Sequence, residues 1–156
     1  MFELQKYENF DEFLMKSEEK INELMGTEQC SVVYVDSQTN SFIKIIKEKR
    51  KRIKDLKIGI IGKCFATDTV IETQNTKNDP DFNSAIDMET ELPMLTFPVI
   101  NHDKTVAIIQ MVLLRKKLGE KFLKKSFFWE KEFLDIFSGL MGMSFQRINP
   151  PTQESN

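Results

Sequence analysis

The sequence predicts an α+β fold: a central antiparallel sheet with an N-terminal and a C-terminal helix together on one face. Three observations carry that expectation. Apolar residues recur at helical spacing near both ends of the chain, at Phe10, Phe13, Leu14, Ser17, Ile21, Leu24 and Met25, and again at Phe133, Ile136, Phe137, Leu140, Met141 and Ser144. β-Branched and alternating runs, parted by short turns, fill the middle. A length of 156 residues, 40% of them apolar and 13 of them phenylalanine, suits one hydrophobic core. Residues 1–148 therefore read as one domain and 149–156 as a flexible tail.

The elements follow in order. Residues 8–25 form the first helix, which Gly26 stops. Cys30 to Asp36 is a strand. Ser37 to Asn40 is a turn, and Phe42 to Ile46 alternates around Lys44 as the second arm of a hairpin. Residues 58–66, "IGIIGKCFA", read as a short helix in which Gly59 and Gly62 allow close packing against a sheet. No GxGxxG or GxxxxGK[ST] pattern surrounds them. Val70 to Thr73 is a short strand. Strands at about 94–101 and 105–114 meet at the turn Asn101 to Lys104. A last helix covers about 126–146 and stops at Asn149-Pro150-Pro151.

Two stretches do not fit the core. Residues 47–57, "KEKRKRIKDLK", hold seven basic and two acidic residues. They read as a solvated strand end and loop, or as a contact for an acidic partner. No aromatic residue lies among them to stack bases, which disfavours nucleic acid. Residues 75–92 are polar, acidic and interrupted by Pro80 before the apolar strand at Leu95, Phe97, Val99 and Ile100. A segment of that length without an element of its own is usually functional or disordered.

Composition narrows the chemistry. Two cysteines, Cys30 and Cys64, and one histidine, His102, offer no CxxC and no Cys/His cluster, so no metal site is expected. No Ser/His/Asp set or carboxylate pair stands out, and no enzymatic activity is expected. The N-terminus lacks the basic-then-apolar pattern of a signal peptide, and the run Val106 to Leu114 is too short to span a bilayer. A cytoplasmic protein with no membrane contact is expected.

The ordered set "IGIIGKCFAT", "VIET", "NDPDFNSAIDMET" and "MLTFPVINHDKTVAIIQMV" resembles a GAF domain, most closely the regulatory GAF domains of cyclic nucleotide phosphodiesterases. The glycine pair is Gly59 and Gly62. The D-P-x-F element is Asp79, Pro80 and Phe82, the D-x-x-T element is Asp87 and Thr90, and the strand reaching a proline is Phe97-Pro98-Val99. The resemblance, from about Cys30 to Leu114, implies a GAF-like, PAS-related sheet with the polar segment folded as a lid over the face opposite the terminal helices. It implies Phe82, Thr90, Gln110, Asp79 and Ile61 as ligand-binding residues, with a cyclic nucleotide as the possible cofactor. Phe82 and Ile86 should point inward on one helical turn, and Asp79, Asp81, Asp87 and Glu89 should face water. Gln110, a polar residue in an apolar strand, needs a partner if buried: a purine edge, a neighbouring backbone group, or solvent at an exposed position.

The chain departs from the nucleotide-binding members of that family. Leu113-Leu114 replaces an Asn-Lys pair, and Lys131-Glu132 replaces Asp-Glu in a Phe-x-x-x-Asp-Glu motif that begins at Phe127; Glu91 replaces a glycine. The first expectation is thus a non-catalytic GAF protein, a regulatory or structural subunit of a larger assembly, with the small-molecule pocket either retained or lost. The alternative is a cGMP or cAMP sensor. A free methionine sulfoxide reductase stands third, since that group carries a cysteine where this chain has Ile61. Partner contacts are expected at Lys49, Arg50, Lys51 and Arg52, for an acidic surface such as a cytoskeletal polymer, and at Phe128 and Trp129, with a homodimer through the terminal helices as another arrangement.

Overall fold

Leu14, Ser17 and Ile21 recur on one side of a helix and are fully buried there. The helix, α1, spans Phe10–Met25 and carries Asp11 and Glu12 in its first turn, where acidic groups complement the helix dipole. The computed structural model describes residues 10–25, 27 and 29–112. After α1 come β1 (Gln29–Asp36), β2 (Ser41–Ile46), β3 (Lys49–Ile53), α2 (Gly59–Thr67), β4 (Ile71–Thr73), β5 (Met94–Asn101) and β6 (Lys104–Val112). The expected final helix at 126–146, with Phe128 and Trp129, and the tail at 149–156 lie outside the described residues. No helix among the described residues is long and apolar enough to cross a membrane.

The strands form one six-stranded sheet in the order β3-β2-β1-β6-β5-β4, and every pairing is antiparallel. β1 and β6 lie at the centre and are buried on both faces, which is why they read as nearly continuous apolar runs. Side chains alternate between faces. Ser31, Val33 and Val35 of β1 share one face with Ile108 and Gln110 of β6 and Thr96 of β5. Cys30 and Val32 point the other way, with Ile43 and Ile45 of β2, toward α1. The turns at Lys47-Glu48 and His102-Asp103 both place two residues at positive φ, the conformation that matches the twist of a two-residue hairpin.

The structure corrects the reading of residues 47–57: Lys49–Ile53 is a strand, β3, at the edge of the sheet. Its composition concealed it because five residues at an edge can pair backbone groups while their charged tips reach water. Ile53 turns inward against the core. Arg50 bonds Asp11 of α1 at 2.9 Å, and Arg52 donates to Asp36 at 2.9 Å and to Ser41 at 2.7 Å. Burial works to raise the Asp36 carboxyl, but the bonds from Arg52, Thr39 and the Gln38 N–H outweigh it and hold the group below its ordinary value. The lysines Lys49 and Lys51 remain exposed.

β1 and β2 pair only from Tyr34↔Ile43 to Asp36↔Ser41 and then part. Glu18 of α1 enters the opening and accepts the Val32 N–H at 2.9 Å, satisfying a donor that β2 leaves unpaired. Burial pushes the Glu18 carboxyl up from 4.5 to about 7, against the lowering effects of the Val32 N–H and the Lys44 ammonium. A carboxyl raised in the folded state stabilises the fold fully below its unfolded pKa. That contribution erodes as pH rises and is gone above about 7. Urea unfolding at pH 5 and pH 8 should therefore show a loss, on the order of 2–3 kcal/mol, that Glu18→Gln removes. An equal pH dependence in the variant would show that Glu18 is not the group responsible.

Candidate functional site

Residues 76–90 form a loop closed at its base by one pair of threonines. The Thr76 N–H and hydroxyl both donate to the Thr90 carbonyl, at 3.1 and 3.0 Å, and the Thr76 hydroxyl accepts the Thr90 N–H at 2.9 Å. Thr76 is fully buried. Between these ends the chain turns on side chains that bind their own backbone two residues on. Asn75 accepts from Lys77, Asp79 from Asp81 and Asn83 from Ala85. A 3₁₀ turn at Thr76–Asn78 opens the loop. The segment is thus an Ω-type loop with its own internal bonding.

The loop lies over the sheet face opposite α1. Ile86 is fully buried among Val33, Val35, Phe42, Ile61 and Ile108. Phe82 is half-buried against Ile60, Met88, Met94 and Val112. Both point inward as expected, but from turns rather than from a helical turn.

Asp87 requires a correction. It was expected in water and is 5% exposed. Its carboxylate accepts the N–H groups of Ile60 at 2.8 Å and Ile61 at 3.1 Å, the first free amides of α2. It also accepts the Asn83 N–H at 2.9 Å and the Gln110 side-chain amide at 3.0 Å. The reason is local: Ile58, at the start of α2, supplies no side-chain cap, so a carboxylate from elsewhere fills the role. Burial raises the Asp87 pKa by more than these donors lower it.

The glycine pair also differs from expectation. Its close neighbours are the lid and the preceding loop rather than the sheet. Gly59 sits at φ +71°, and a Cβ there would stand 2.5 Å from Asp87 Oδ2 and 2.8 Å from Ile86 Cγ2. A Cβ at Gly62 would stand 2.5 Å from the Lys57 carbonyl carbon.

Gln110 is fully buried in the row Ser31–Gln110–Thr96 across β1, β6 and β5. Its amide nitrogen donates to Asp87 and, at 3.2 Å, to Thr96, and its oxygen accepts the Met88 N–H at 3.0 Å. The lid itself is the partner that Gln110 needs. Ser31 is buried beside it with no hydrogen-bond partner for its hydroxyl among the described residues. Lys44, on the same face, donates to the Ile86 carbonyl at 2.7 Å, and burial lowers its pKa.

The other sequence candidates are placed as follows. Ile61 is buried in the core, and the Thr90 hydroxyl oxygen accepts the Leu92 N–H at 2.9 Å. Asp79 accepts from Asp81 at 2.8 Å and from Thr73 at 3.3 Å. Ile61, Phe82 and Gln110 are brought together with Asp87; Thr90 and Asp79 stand at the lid's base. Thr76, Thr96, Ser31 and Lys44 escaped notice. Asp87 lies between the buried Ile86 and Met88, but its own partners, the Ile60 and Ile61 amides, are distant in sequence.

The cysteines lie on opposite faces of the sheet. Cys64 packs with Val33, Val35 and Ile108 on the lid side and donates its Sγ–H to the Thr69 carbonyl at 3.2 Å. Burial pushes its thiol up to about 12, and burial also raises Cys30 well above its ordinary value.

Asp87→Ala should cost about 3–5 kcal/mol in urea unfolding, since it leaves several buried donors unmet. Asp87→Asn should cost less. Gly59→Ala should cost about 2 kcal/mol through its clash with Asp87, and the two losses should fall short of additive in a double-mutant cycle. Full additivity would mean that the lid is not seated on α2.

No protein-family profile matches the chain. One curated relative, described as a glycerol-3-phosphate dehydrogenase [NAD(P)+] of Mycoplasma mobile, is 35% identical over 116 residues; the match spans 74% of this chain and 32% of the relative. The matched segment is thus about a third of that protein's length. Among solved structures, the GAF domain of A. aeolicus nlh2 in an inactive state superposes with a TM-score of 0.60 at 19% identity, covering 92% of this chain and 91% of that one. A free methionine-R-sulfoxide reductase from Neisseria meningitidis, solved with its substrate, gives a TM-score of 0.62 at 10% identity over 92% and 82% of the two chains. The sheet order, the lid and these superpositions agree: the chain has the GAF fold.

Proposed function

We propose that the protein is a non-catalytic GAF unit that acts as a regulatory or structural component of a larger protein assembly. One observation carries this reading. The Gln110 side chain bonds Asp87 and Met88 of the lid and Thr96 of β5, so the lid supplies contacts a ligand would otherwise make. A lid bonded to the sheet in this way favours a structural role. The separation of Cys30 and Cys64 by the sheet, and their raised thiol pKa values, weigh against a reductase, which needs a nucleophilic thiolate and a resolving partner. The relative from Mycoplasma mobile, in which a similar segment is part of a longer chain described as a dehydrogenase, supports a role beside an enzyme. The exposed lysines of β3, Lys49 and Lys51, suit an acidic partner surface in the cytoplasm, a cytoskeletal polymer among them.

The second reading is a cyclic nucleotide sensor of the phosphodiesterase type. It is favoured by Ser31, whose buried hydroxyl beside Gln110 is left for a ligand to meet once the lid opens.

Thermal unfolding with saturating cGMP or cAMP separates the two. The structural reading expects a change below about 1 °C, whereas tight binding would add about 2.7 kcal/mol and several degrees. A several-degree rise that disappears in Gln110→Ala would establish the sensor. Lys49→Glu with Lys51→Glu should abolish partner association while changing stability by less than about 0.5 kcal/mol; unchanged association would remove β3 from the interface.

A further inference from the structure

We propose that the cleft between α1 and the parted strands β1 and β2 is a binding site for a small organic cation, an ammonium or guanidinium group on a short apolar body. The cleft lies on the face opposite the lid, so it stands or falls independently of the lid's role. Its volume is about 340 Å³, within the range that holds a small ligand. Met15, Cys30 and Ile45 give it an apolar wall. Glu18, Glu19 and Glu48 line it with three carboxylates beside the ammonium of Lys47, and Glu19 is paired with Lys16 at 3.5 Å.

Glu18 is the centre of the site. It is held in place because one oxygen, Oε2, accepts the Val32 N–H at 2.9 Å. Its other oxygen has no hydrogen bond among the described residues. The charged groups around it do not neutralise it by contact. Lys44 acts on it from the far side of the parted strands and is itself committed to the Ile86 carbonyl. Cys30, beside it, holds a neutral thiol. Glu19, Glu48 and Lys47 are exposed. A fixed carboxylate with one free oxygen, in a cleft whose wall is apolar at Met15, Cys30 and Ile45 and polar at Asn22 and Gln29, matches an N–H cation carried on a few methylene groups. A metal ion is a poorer match, since no group of three or more His, Cys, Asp or Glu among the described residues could hold one.

Binding should expel a proton. Burial leaves Glu18 partly protonated near neutral pH, and an entering cation favours its ionised form. The probe is n-butylguanidinium, with neutral pentanamide as its control. Titration calorimetry at pH 6.8, in two buffers of different ionisation enthalpy, reads both affinity and proton release. The expected result is saturable binding of the guanidinium with release of a fraction of a proton, and binding of pentanamide at least tenfold weaker. Glu18→Gln keeps an acceptor for the Val32 N–H; it should weaken binding at least tenfold and abolish the proton release. Ile45→Trp fills the cleft and should block binding with Glu18 intact, so the test holds even if Glu18→Gln unfolds. Absence of binding by the wild-type chain overturns the proposal. So does binding that survives either substitution or occurs without proton release.

Discussion

The seating of the Asp87 carboxylate on the first amides of α2 is the contact on which the lid side of this molecule depends. It caps a helix that brings no cap of its own, and it fixes the end of a 15-residue loop running from Thr76 to Thr90. Through Gln110 it also ties that loop to the central strand of the sheet. Gly59 is required by the same contact, because a side chain there would occupy the space of the carboxylate. Helix, loop and strand are three elements with one shared charge between them. That charge is tolerated inside the protein because donors surround it, which is the condition under which burial of a carboxylate is affordable.

The two faces of the sheet solve different problems. On the lid face, polar groups are buried deliberately and bonded to one another, leaving Ser31 as an unmet hydroxyl among the described residues. On the α1 face, the difficulty is a strand pair that parts too early. Glu18 repairs it with one hydrogen bond, and its own partial desolvation sets a protonation equilibrium near neutrality. The first arrangement holds a loop shut, and the second leaves a cleft open beside a responsive group.

Most of the fold was legible in the sequence because its signals are local. The stripe at Leu14, Ser17 and Ile21, the β-branched run in β1, the glycines of α2 and the turn at His102-Asp103 each follow from spacing or turn chemistry. β3 was not legible, because an edge strand of lysines and arginines carries no apolar alternation and only its pairing with β2 reveals it. Phe82, Gln110 and Ile61 were legible as lid-side residues. Asp87 was misplaced because a carboxylate in a polar segment reads as solvated. Its burial depends on two amides 26 and 27 residues away in sequence, which no local pattern encodes. The opening between β1 and β2 was hidden for the same reason: strand pairing that stops early is a property of register, not of composition.

The order of the strands has an electrical consequence. β3, with Lys49, Lys51 and the adjoining Lys47, Lys54 and Lys57, lies at one edge of the sheet. Glu72 of β4 lies at the other edge, and Asp81, Glu89 and Glu91 follow it in sequence, Asp81 paired with Lys63 at 3.0 Å and Glu91 with Lys77 at 3.4 Å. A chain with a formal net charge of only -2 thus has its described charges separated across the width of six strands. The described residues thus carry an uneven charge along the sheet as well as a share of the net charge. In the field of a charged surface such a body experiences a torque before it makes contact, and it arrives with one edge leading.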